Sequence, residues 1–267
     1  MIRLDRLKLK TPLSNIIGFD KHHPSVTLDK KLNNKNEVLV NAYKINGNKD
    51  FGIRQTKIDT IKNEVVIDFS GKILLDDYTD LINANNIDKC LNTFNENTAL
   101  QLDIQGVLDD SEALNIDTTQ MIYPKYSAKM CRDSLLTMQT INRCNVMGYA
   151  SKRNVGLSFI SSTKKEKRRL IMYDKELRML CGLKNELLFL NHCKNPSQVI
   201  NKCKGSLRVE LGLVSLASIK NRLQISDNSL VSVLTATATP NYDFLNEIKA
   251  KKQGLDFSGQ QLDLFAP

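Results

Sequence analysis

The sequence predicts an α+β fold built on a largely antiparallel sheet. Short runs of β-branched and aromatic residues occur at positions 37–45 and 64–69, and turns rich in Asn, Gly and Lys separate them. Longer segments, such as residues 175–193 and 215–223, have the apolar spacing of helices. Hydrophobic residues make up 41% of the 267 residues and charged residues 25%, which is typical of a soluble globular protein.

The remaining elements follow from the same two periodicities. Further strands are predicted where apolar and polar residues alternate, at 99–105, 156–160, 169–173 and 206–211. Further helices are predicted over 76–98, 127–146, 229–235 and 241–252. We therefore expect one domain over residues 1–252 and a flexible tail over residues 253–267.

The charge balance favours a polyanionic partner. Lys and Arg number 38 against 29 Asp and Glu, so the net charge is +9 and the pI is about 9.2. Binding to phosphates releases counterions, which makes such a surplus favourable for nucleic-acid binding. The six cysteines form no CxxC pair, so we expect reduced thiols. No apolar run approaches the roughly 18 residues that span a bilayer, and no signal-peptide core is visible, so we expect a cytoplasmic protein without a membrane partner.

Three of the predicted strands carry polar side chains at a spacing of two, which places them on one face. These sets are Gln101, Asp103 and Gln105; Tyr173 and Lys175; and Arg208 and Glu210. A sheet with helices on its apolar face and this carboxylate-lined, basic face on the other side would form a groove for DNA and metal. Each set also has an ordinary structural interpretation, such as an exposed ion pair, so the pattern alone leaves the function open.

Three motifs carry a resemblance to a known family. Residues 168–177, RRLIMYDKEL, resemble the tyrosine motif of the filamentous-phage gene II replication proteins and related plasmid rolling-circle initiators. Residues 207–211, LRVEL, resemble the Leu-Arg-x-Glu strand that follows in those families, and residues 100–104, LQLDI, resemble their acidic strand. The likeness covers roughly residues 35–225 in order and spacing. Where the family has Arg before the acidic residue, this chain has Gln101 and Leu102.

The resemblance implies a rolling-circle replication initiator that nicks and rejoins origin DNA of a phage or plasmid. Tyr173 would become joined to the 5′-phosphate and free a 3′-hydroxyl primer. Lys175 would lie beside the scissile phosphate and lower the phenol pKa from its usual value of about 10. Asp103 and Glu210 would bind Mg²⁺ or Mn²⁺. A host helicase is a further expected partner. The basic residues expected to contact DNA are Lys164, Lys165, Lys167, Arg168, Arg169 and Arg208.

The end of the tail resembles the pentapeptide by which bacterial replication proteins bind the sliding clamp. The five residues are Gln261, Leu262, Asp263, Leu264 and Phe265. Leu264 and Phe265 would fill an apolar pocket of the clamp, and Gln261 would hydrogen-bond at its edge. The host sliding clamp is therefore an expected partner.

Several alternatives stay open on sequence grounds. A conjugative relaxase would use the same tyrosine chemistry at another origin. A non-catalytic DNA-binding regulator would keep the fold without cleavage, and a clamp adaptor would depend on residues 261–265 alone. Tyr173 has no twin in a Tyr-x-x-x-Tyr pair, and Tyr123, Tyr126 and Tyr149 are the other candidates for a second tyrosine, although packing or base stacking is their more ordinary role. A pseudo-repeated arrangement of two small sheets is also possible.

Overall fold

The computed structural model describes residues 1–32, 38–124, 129, 133, 140–141, 144–152, 154–161, 168–181 and 188–244. The strands in these residues are β1 Leu4–Pro12, β2 Ile16–Phe19, β3 Val26–Leu32, β4 Val38–Ile45, β5 Thr56–Asp59, β6 Glu64–Ser70, β7 Leu100–Leu102, β8 Glu112–Ile122, β9 Thr140–Ile141, β10 Cys144–Ser151, β11 Asn154–Ser161, β12 Arg168–Asp174 and β13 Leu207–Leu213. The α-helices are α1 Ile87–Glu96, α2 Ile104–Asp110, α3 Lys175–Cys181, α4 Pro196–Lys202, α5 Leu216–Leu223 and α6 Leu230–Thr235. The 3₁₀ segments are Leu13–Asn15, Lys49–Phe51, Gly71–Asp80 and Leu188–His192.

Eleven of the described strands form one sheet in the order β3-β4-β5-β6-β1-β8-β13-β12-β11-β10-β9. Every neighbouring pair is antiparallel. The sheet has two halves of the same layout. In the first half, β3 to β6 lie side by side and the last of them, β6, pairs with β1. In the second half, β9 to β13 are connected in sequence and the last of them, β13, pairs with β8. The two halves meet where β1 pairs with β8, so they form one continuous sheet and not the two small sheets that the sequence left open.

The main core covers one face of this sheet. Alternate residues of β13, namely Leu207, Val209 and Leu211, are at most 2% exposed, and they belong to the same apolar cluster as residues of α1, α2, α5 and α6. Full burial of each such side chain contributes roughly 1.5–3 kcal/mol. A slip of one residue would turn these side chains to the opposite face, so the apolar alternation fixes the strand register.

A second, smaller cluster lies against the opposite, polar face. It comprises Tyr78, Met179, Phe189, Leu190, Val199 and Cys203, and it packs on Met121. Met121 pairs with Arg208 and shares the polar face with it. The α+β class and the antiparallel sheet are thus confirmed. The expectation that helices cover only one face is wrong, because α3, α4 and the Leu188–His192 segment supply this second cluster.

Several element boundaries differ from the sequence prediction. The predicted strand 99–105 ends at Leu102, and α2 begins directly afterwards with Asp103 as its N-cap. Residues 76–98 divide into the end of a 3₁₀ segment and α1. Positions 140–141 and 144–146 are strand rather than helix, since they belong to β9 and β10. Helices 215–223 and 229–235 are confirmed by α5 and α6 to within one residue. The tail over 253–267 lies outside the described residues.

None of the helices in the described part of the chain has the length and apolar character needed to cross a bilayer.

Candidate active site

A cavity of about 620 Å³ opens on the polar face of the sheet, across the seam between the two halves. Its described lining includes three acidic side chains, from Asp5, Asp117 and Glu210. It also includes seven basic side chains, from Arg6, Lys49, Arg54, Lys72, Arg169, Lys175 and Arg178. The excess of basic groups gives the pocket a positive potential that favours phosphate groups.

Tyr173 lies in this pocket in contact with Glu210. Strands β12 and β13 are neighbours, with Ile171 paired to Glu210 and Tyr173 paired to Arg208. The Tyr173 hydroxyl donates a hydrogen bond of 2.5 Å to Glu210 Oε1, and the tyrosine is only 2% exposed. On the other side, β11 places Gly156 opposite Tyr173, where an added Cβ would lie 2.8 Å from the Tyr173 Cβ. The two residues predicted as nucleophile and acidic ligand are therefore brought together.

The titration properties of this pair follow from burial. Burial raises the pKa of Tyr173 well above its ordinary value, and the Glu210 carboxylate raises it further. Burial also raises the pKa of Glu210, and the neighbouring Asp5 carboxylate adds to the effect. The expectation that the phenol pKa of Tyr173 is lowered is therefore wrong, because burial disfavours the phenolate more than the nearby cations favour it.

Arg208 is the central cation of the site. It is 0% exposed, its guanidinium pairs with Asp5, and its Nη1 donates a 2.5 Å hydrogen bond to the hydroxyl of Tyr78. Its Nε lies 3.1 Å from Glu210 Oε1 but lacks hydrogen-bond geometry, so that contact is ionic. Burial lowers the pKa of Arg208, but Asp5 and its other neighbours raise it more, so the side chain stays charged. In this structure Arg208 contacts the carboxylates of Asp5 and Glu210, and its predicted contact with DNA stays a prediction.

Asp5 reaches the site through an irregularity in β1. In the pairing with β8, Leu4 is opposite Thr118 and Arg6 is opposite Asp117, which leaves Asp5 as an extra residue. A bulge of this kind breaks the alternation of side chains and directs an additional one to the same face. Asp5 and Arg6 consequently both line the pocket.

Tyr78 is a site residue that the sequence patterns did not indicate. Its hydroxyl accepts hydrogen bonds from Arg208 and from Lys175 Nζ, the latter at 2.6 Å. It lies in the kinked segment Gly71–Asp80, between Leu75 with φ 52° and Leu81 with φ 58°. Positive φ at a non-glycine residue is strained by roughly 1–3 kcal/mol, and such strain concentrates at functional sites. Strain of this kind leaves no periodic signal in a sequence.

Lys175 is close to Tyr173, but not by the predicted route. It is the first residue of α3 rather than part of a strand, and its Nζ lies 5.7 Å from the centre of the Tyr173 ring. Arg178 of the same helix lies closer, with its guanidinium carbon 4.4 Å from that ring centre. Because the helix starts directly after β12, it places two cations above the tyrosine ring. Arg178 is a second residue that the motif did not indicate.

Asp117 adds an acidic group with an unusual proton affinity. It lies on β8, opposite Gly212 of β13, and lines the pocket. Burial raises the pKa of Asp117 to about 6, and the carboxylates of Glu210 and Asp5 add to the rise. A carboxyl group that titrates near neutral pH is characteristic of functional sites.

The predicted metal site is not formed by Asp103. This residue stands at the N-cap position of α2, in the layer that covers the apolar face, whereas Glu210 is on the polar face, and Asp103 does not line the pocket. Its side chain makes no capping hydrogen bond, and the strand alternation stops there because the helix begins at the next residue. Within the described ranges, no three His, Cys, Asp or Glu residues are grouped so that they could hold a metal ion. Asp5 and Glu210 are instead engaged by Arg208.

The predicted DNA contacts are only partly described. Arg169 lines the pocket, and the backbone of Arg168 pairs with Leu213 at the start of β12. Lys164, Lys165 and Lys167 lie outside the described residues. The clamp-binding peptide, Gln261, Leu262, Asp263, Leu264 and Phe265, also lies outside them. Of the other tyrosines, Tyr149 lines the pocket, Tyr123 donates to the Lys202 carbonyl, and Tyr126 lies outside the described residues.

Comparison of the chain with protein families, with curated proteins and with solved structures finds no match. The function is therefore argued from the pocket and from the sequence motifs.

Proposed function

We propose that the chain is a rolling-circle replication initiator that cuts one DNA strand by transesterification to Tyr173. The observation that carries the proposal is the 2.5 Å hydrogen bond from the Tyr173 hydroxyl to Glu210 in a strongly cationic pocket. A nucleophile within hydrogen-bond reach of a carboxylate base is the arrangement that phenol chemistry requires. The order of the tyrosine motif and the Leu-Arg-x-Glu strand supports the same function, whereas the predicted acidic strand does not reach the site.

In the proposed step the Tyr173 oxygen attacks the phosphorus while its proton passes to Glu210. The new bond joins the phenol oxygen to phosphorus, and the bond from phosphorus to the 3′-oxygen breaks. The leaving oxygen takes a proton from water, and the hydroxide so formed is neutralised by the proton held on Glu210. The products are a 5′-phosphotyrosine and a free 3′-hydroxyl. Because the pKa of Glu210 is raised, this carboxylate accepts the proton more readily than an ordinary glutamate. Because the pKa of Tyr173 is raised, its attack depends on this transfer of the phenol proton to Glu210.

The basic residues around the tyrosine offset the charge of the phosphate. Arg169, Lys175 and Arg178 come from β12 and α3 and line the same pocket as Tyr173. Positive groups that are fixed before the reaction stabilise the developing charge without rearrangement, which is often the largest contribution to catalysis. Their clustering explains how a buried phenol and a phosphodiester can meet.

Dependence on Mg²⁺ or Mn²⁺ stays a prediction from the resemblance. Asp5, Asp117 and Glu210 are the described carboxylates of the pocket, but the first and last are ion-paired to Arg208. This donor set does not fit a metal as it stands, and the step above uses only the residues of the chain.

The test is nicking of the supercoiled replicon that encodes the chain, with Mg²⁺, with Mn²⁺ and with EDTA. We expect open circles and a protein–DNA adduct that survives SDS for the wild type, and neither for Tyr173→Phe. Tyr123→Phe is the matched control, because it removes the same hydroxyl from an exposed tyrosine outside the pocket. Wild-type protein that binds this DNA without cutting it, or a Tyr173→Phe variant that cuts normally, would sink the proposal.

A non-catalytic DNA-binding regulator is the second candidate. The observation in its favour is the burial of Tyr173, which is 2% exposed and has a raised pKa. On this hypothesis Tyr173→Phe leaves function unchanged. A conjugative relaxase would share the nickase result and differ only in the origin that is cut.

The partners follow from the proposed reaction. A free 3′-hydroxyl needs a polymerase and a helicase, and the tail residues 261–265 would recruit the host sliding clamp to the nick. Deletion of these five residues is expected to abolish clamp binding in a pull-down with purified clamp and to leave nicking intact. Equal clamp binding by the shortened chain would contradict this role.

A further inference from the structure

We infer that Lys49, Arg54 and Lys72 form a second phosphate subsite, which binds the backbone of single-stranded DNA next to the phosphate attacked by Tyr173. These three residues, named here the N-terminal cationic rim, line the same pocket as Tyr173. They come from the first half of the sheet, whereas Tyr173 comes from the second. The inference rests on the proposed function and specifies its substrate.

The rim is assembled by a close approach of two backbone segments. Gly52 has φ +69°, and a Cβ at this position would lie 2.5 Å from Ser70 Oγ and 2.7 Å from Lys72 Cβ. The Gly52 carbonyl accepts hydrogen bonds from the Ser70 backbone N–H at 2.9 Å and from its hydroxyl at 3.2 Å. Only glycine allows the chain that follows the Lys49–Phe51 turn to lie directly on the end of β6. This contact brings the turn that carries Lys49 close to the backbone of Lys72.

The rim is also attached to the second half of the molecule. The Phe51 and His192 rings lie 4.5 Å apart, and His192 Nε2 is 3.5 Å from Asp50 Oδ2. Lys72 Nζ lies 5.6 Å from the centre of the Phe189 ring. These contacts fix the rim relative to the segment that packs around Tyr78, so its charges are held in place before any ligand binds. A preorganised site loses less entropy on binding.

Arg54 of the rim is only weakly paired with a carboxylate. Arg6 uses both oxygens of Asp68, through hydrogen bonds of 2.9 and 2.6 Å. Arg54 lies 3.9 Å from the same carboxylate and its side chain is 53% exposed. Lys49 is exposed and lines the same pocket. An anion in the pocket would therefore meet an arginine that need not first break a strong ion pair.

The depth of the tyrosine specifies an unpaired strand. Tyr173 is 2% exposed, so a phosphate that reaches it must come with its nucleotide into the pocket. Proteins that act on a nucleotide in a pocket take a single strand or draw the nucleotide out of the duplex. A DNA strand that enters over the first half of the sheet and is cut at Tyr173, in the second half, would cross the junction between β1 and β8. The rim would then bind the phosphates that flank the cut.

The test measures binding of a labelled single-stranded oligonucleotide of about 12 nucleotides in EDTA, between about 50 and 200 mM salt. We expect the double variant Lys49→Gln with Arg54→Gln to bind about tenfold more weakly, and its log–log salt slope to fall by about 1.4, since each single-strand phosphate contact contributes about 0.7. Lys62→Gln is the matched control, because its side chain is 66% exposed and does not line the pocket. We expect this control to stay within about twofold of the wild type.

A charge-preserving variant separates geometry from net charge. Gly52→Ala removes no charge but must shift Ser70 or Lys72, so we expect weaker binding with an unchanged circular dichroism spectrum. An unchanged affinity and slope in the double variant, or duplex DNA that binds as tightly as the single strand, would overturn the inference. Adduct formation through Tyr173 that is insensitive to the double variant refutes the subsite alone. Loss of binding in the double variant, with no adduct from the wild type, supports the subsite and refutes the nickase.

Discussion

Replacement of Arg208 by Met tests whether this buried cation organises the site. Arg208 has no exposed surface and compensates two carboxylates, those of Asp5 and Glu210. Met keeps an unbranched stem but lacks the guanidinium and its charge, so the variant leaves both carboxylates without their shared partner. Removal of one partner from a buried ion pair costs about 3–5 kcal/mol, because the remaining charge is desolvated and uncompensated. We expect the free energy of unfolding at pH 7 to fall by about that amount.

The loss of stability in Arg208→Met is expected to depend on pH. Without the guanidinium, the buried Glu210 carboxylate loses the main cation that lowers its pKa, so its folded-state pKa lies still further above that of the unfolded chain. Such groups stabilise the fold only below their unfolded pKa, and that contribution is lost as pH rises. The deficit of Arg208→Met should therefore be large at pH 7 to 8 and shrink toward pH 4, where both states bind the protons.

Urea unfolding at several pH values, followed by circular dichroism, measures this deficit. Adding Asp5→Asn to Arg208→Met should recover part of the lost stability at pH 7. Arg54→Met is the matched control, since that side chain is 53% exposed, and its effect should stay within about 0.5 kcal/mol. A deficit below about 1 kcal/mol, or one that does not change with pH, would refute the assigned role of Arg208.

Three further predictions concern the frame of the site. Asp117→Asn should stabilise the fold on the order of 1–3 kcal/mol at pH 8. The folded-state pKa of Asp117, about 6, lies above the unfolded value, so the wild type loses stability as pH rises between roughly 4 and 6. Urea unfolding curves that shift equally at pH 4 and pH 8 would contradict this. Gly156→Ala should cost about 2 kcal/mol or more, since its Cβ would lie 2.2 Å from the Met172 carbonyl oxygen; an unchanged unfolding midpoint would show that the strands are not so closely apposed. Asn241→Ala should cost about 2 kcal/mol or more, because the buried amide donates to the Thr118 carbonyl and accepts from its hydroxyl at 2.8 Å; thermal melting checks the loss, and an unaltered melting temperature would refute it.

The part of the site that lies on regular strands could be predicted from the sequence. A period of two placed Tyr173 on one face of β12 and Glu210 on the polar face of β13, and the structure brings the two together because those strands are neighbours. The apolar positions between them fixed the same register from the other face. Lys175 was expected nearby for a different geometric reason, since it starts a helix rather than continuing the strand.

The part that depends on irregular backbone could not be predicted in this way. Asp5 enters the pocket through a bulge, which becomes visible only when β1 is paired with β8. The position of Tyr78 depends on a kinked 3₁₀ segment, with Leu75 inside it and Leu81 directly after it at positive φ. No pattern of residues in the sequence predicts that conformation. The prediction that Asp103 continues a strand was wrong, because the strand has only three residues and a helix begins directly after Asp103. So short an alternating run does not show where the strand ends.

The long sequence separation across the site also has a consequence during protein synthesis. Arg208 contacts Asp5, which is 203 residues earlier, and Tyr78, which is 130 residues earlier. The N-terminal strands of a nascent chain are synthesised first, so Asp5 is present long before Arg208 leaves the ribosome. The Asp5 carboxylate lacks this partner until then. Until residue 210 has left the ribosome, the pocket lacks both the Glu210 carboxylate and the guanidinium of Arg208 beside it. The charged centre of the pocket is therefore assembled last, when the second half of the chain folds onto the first.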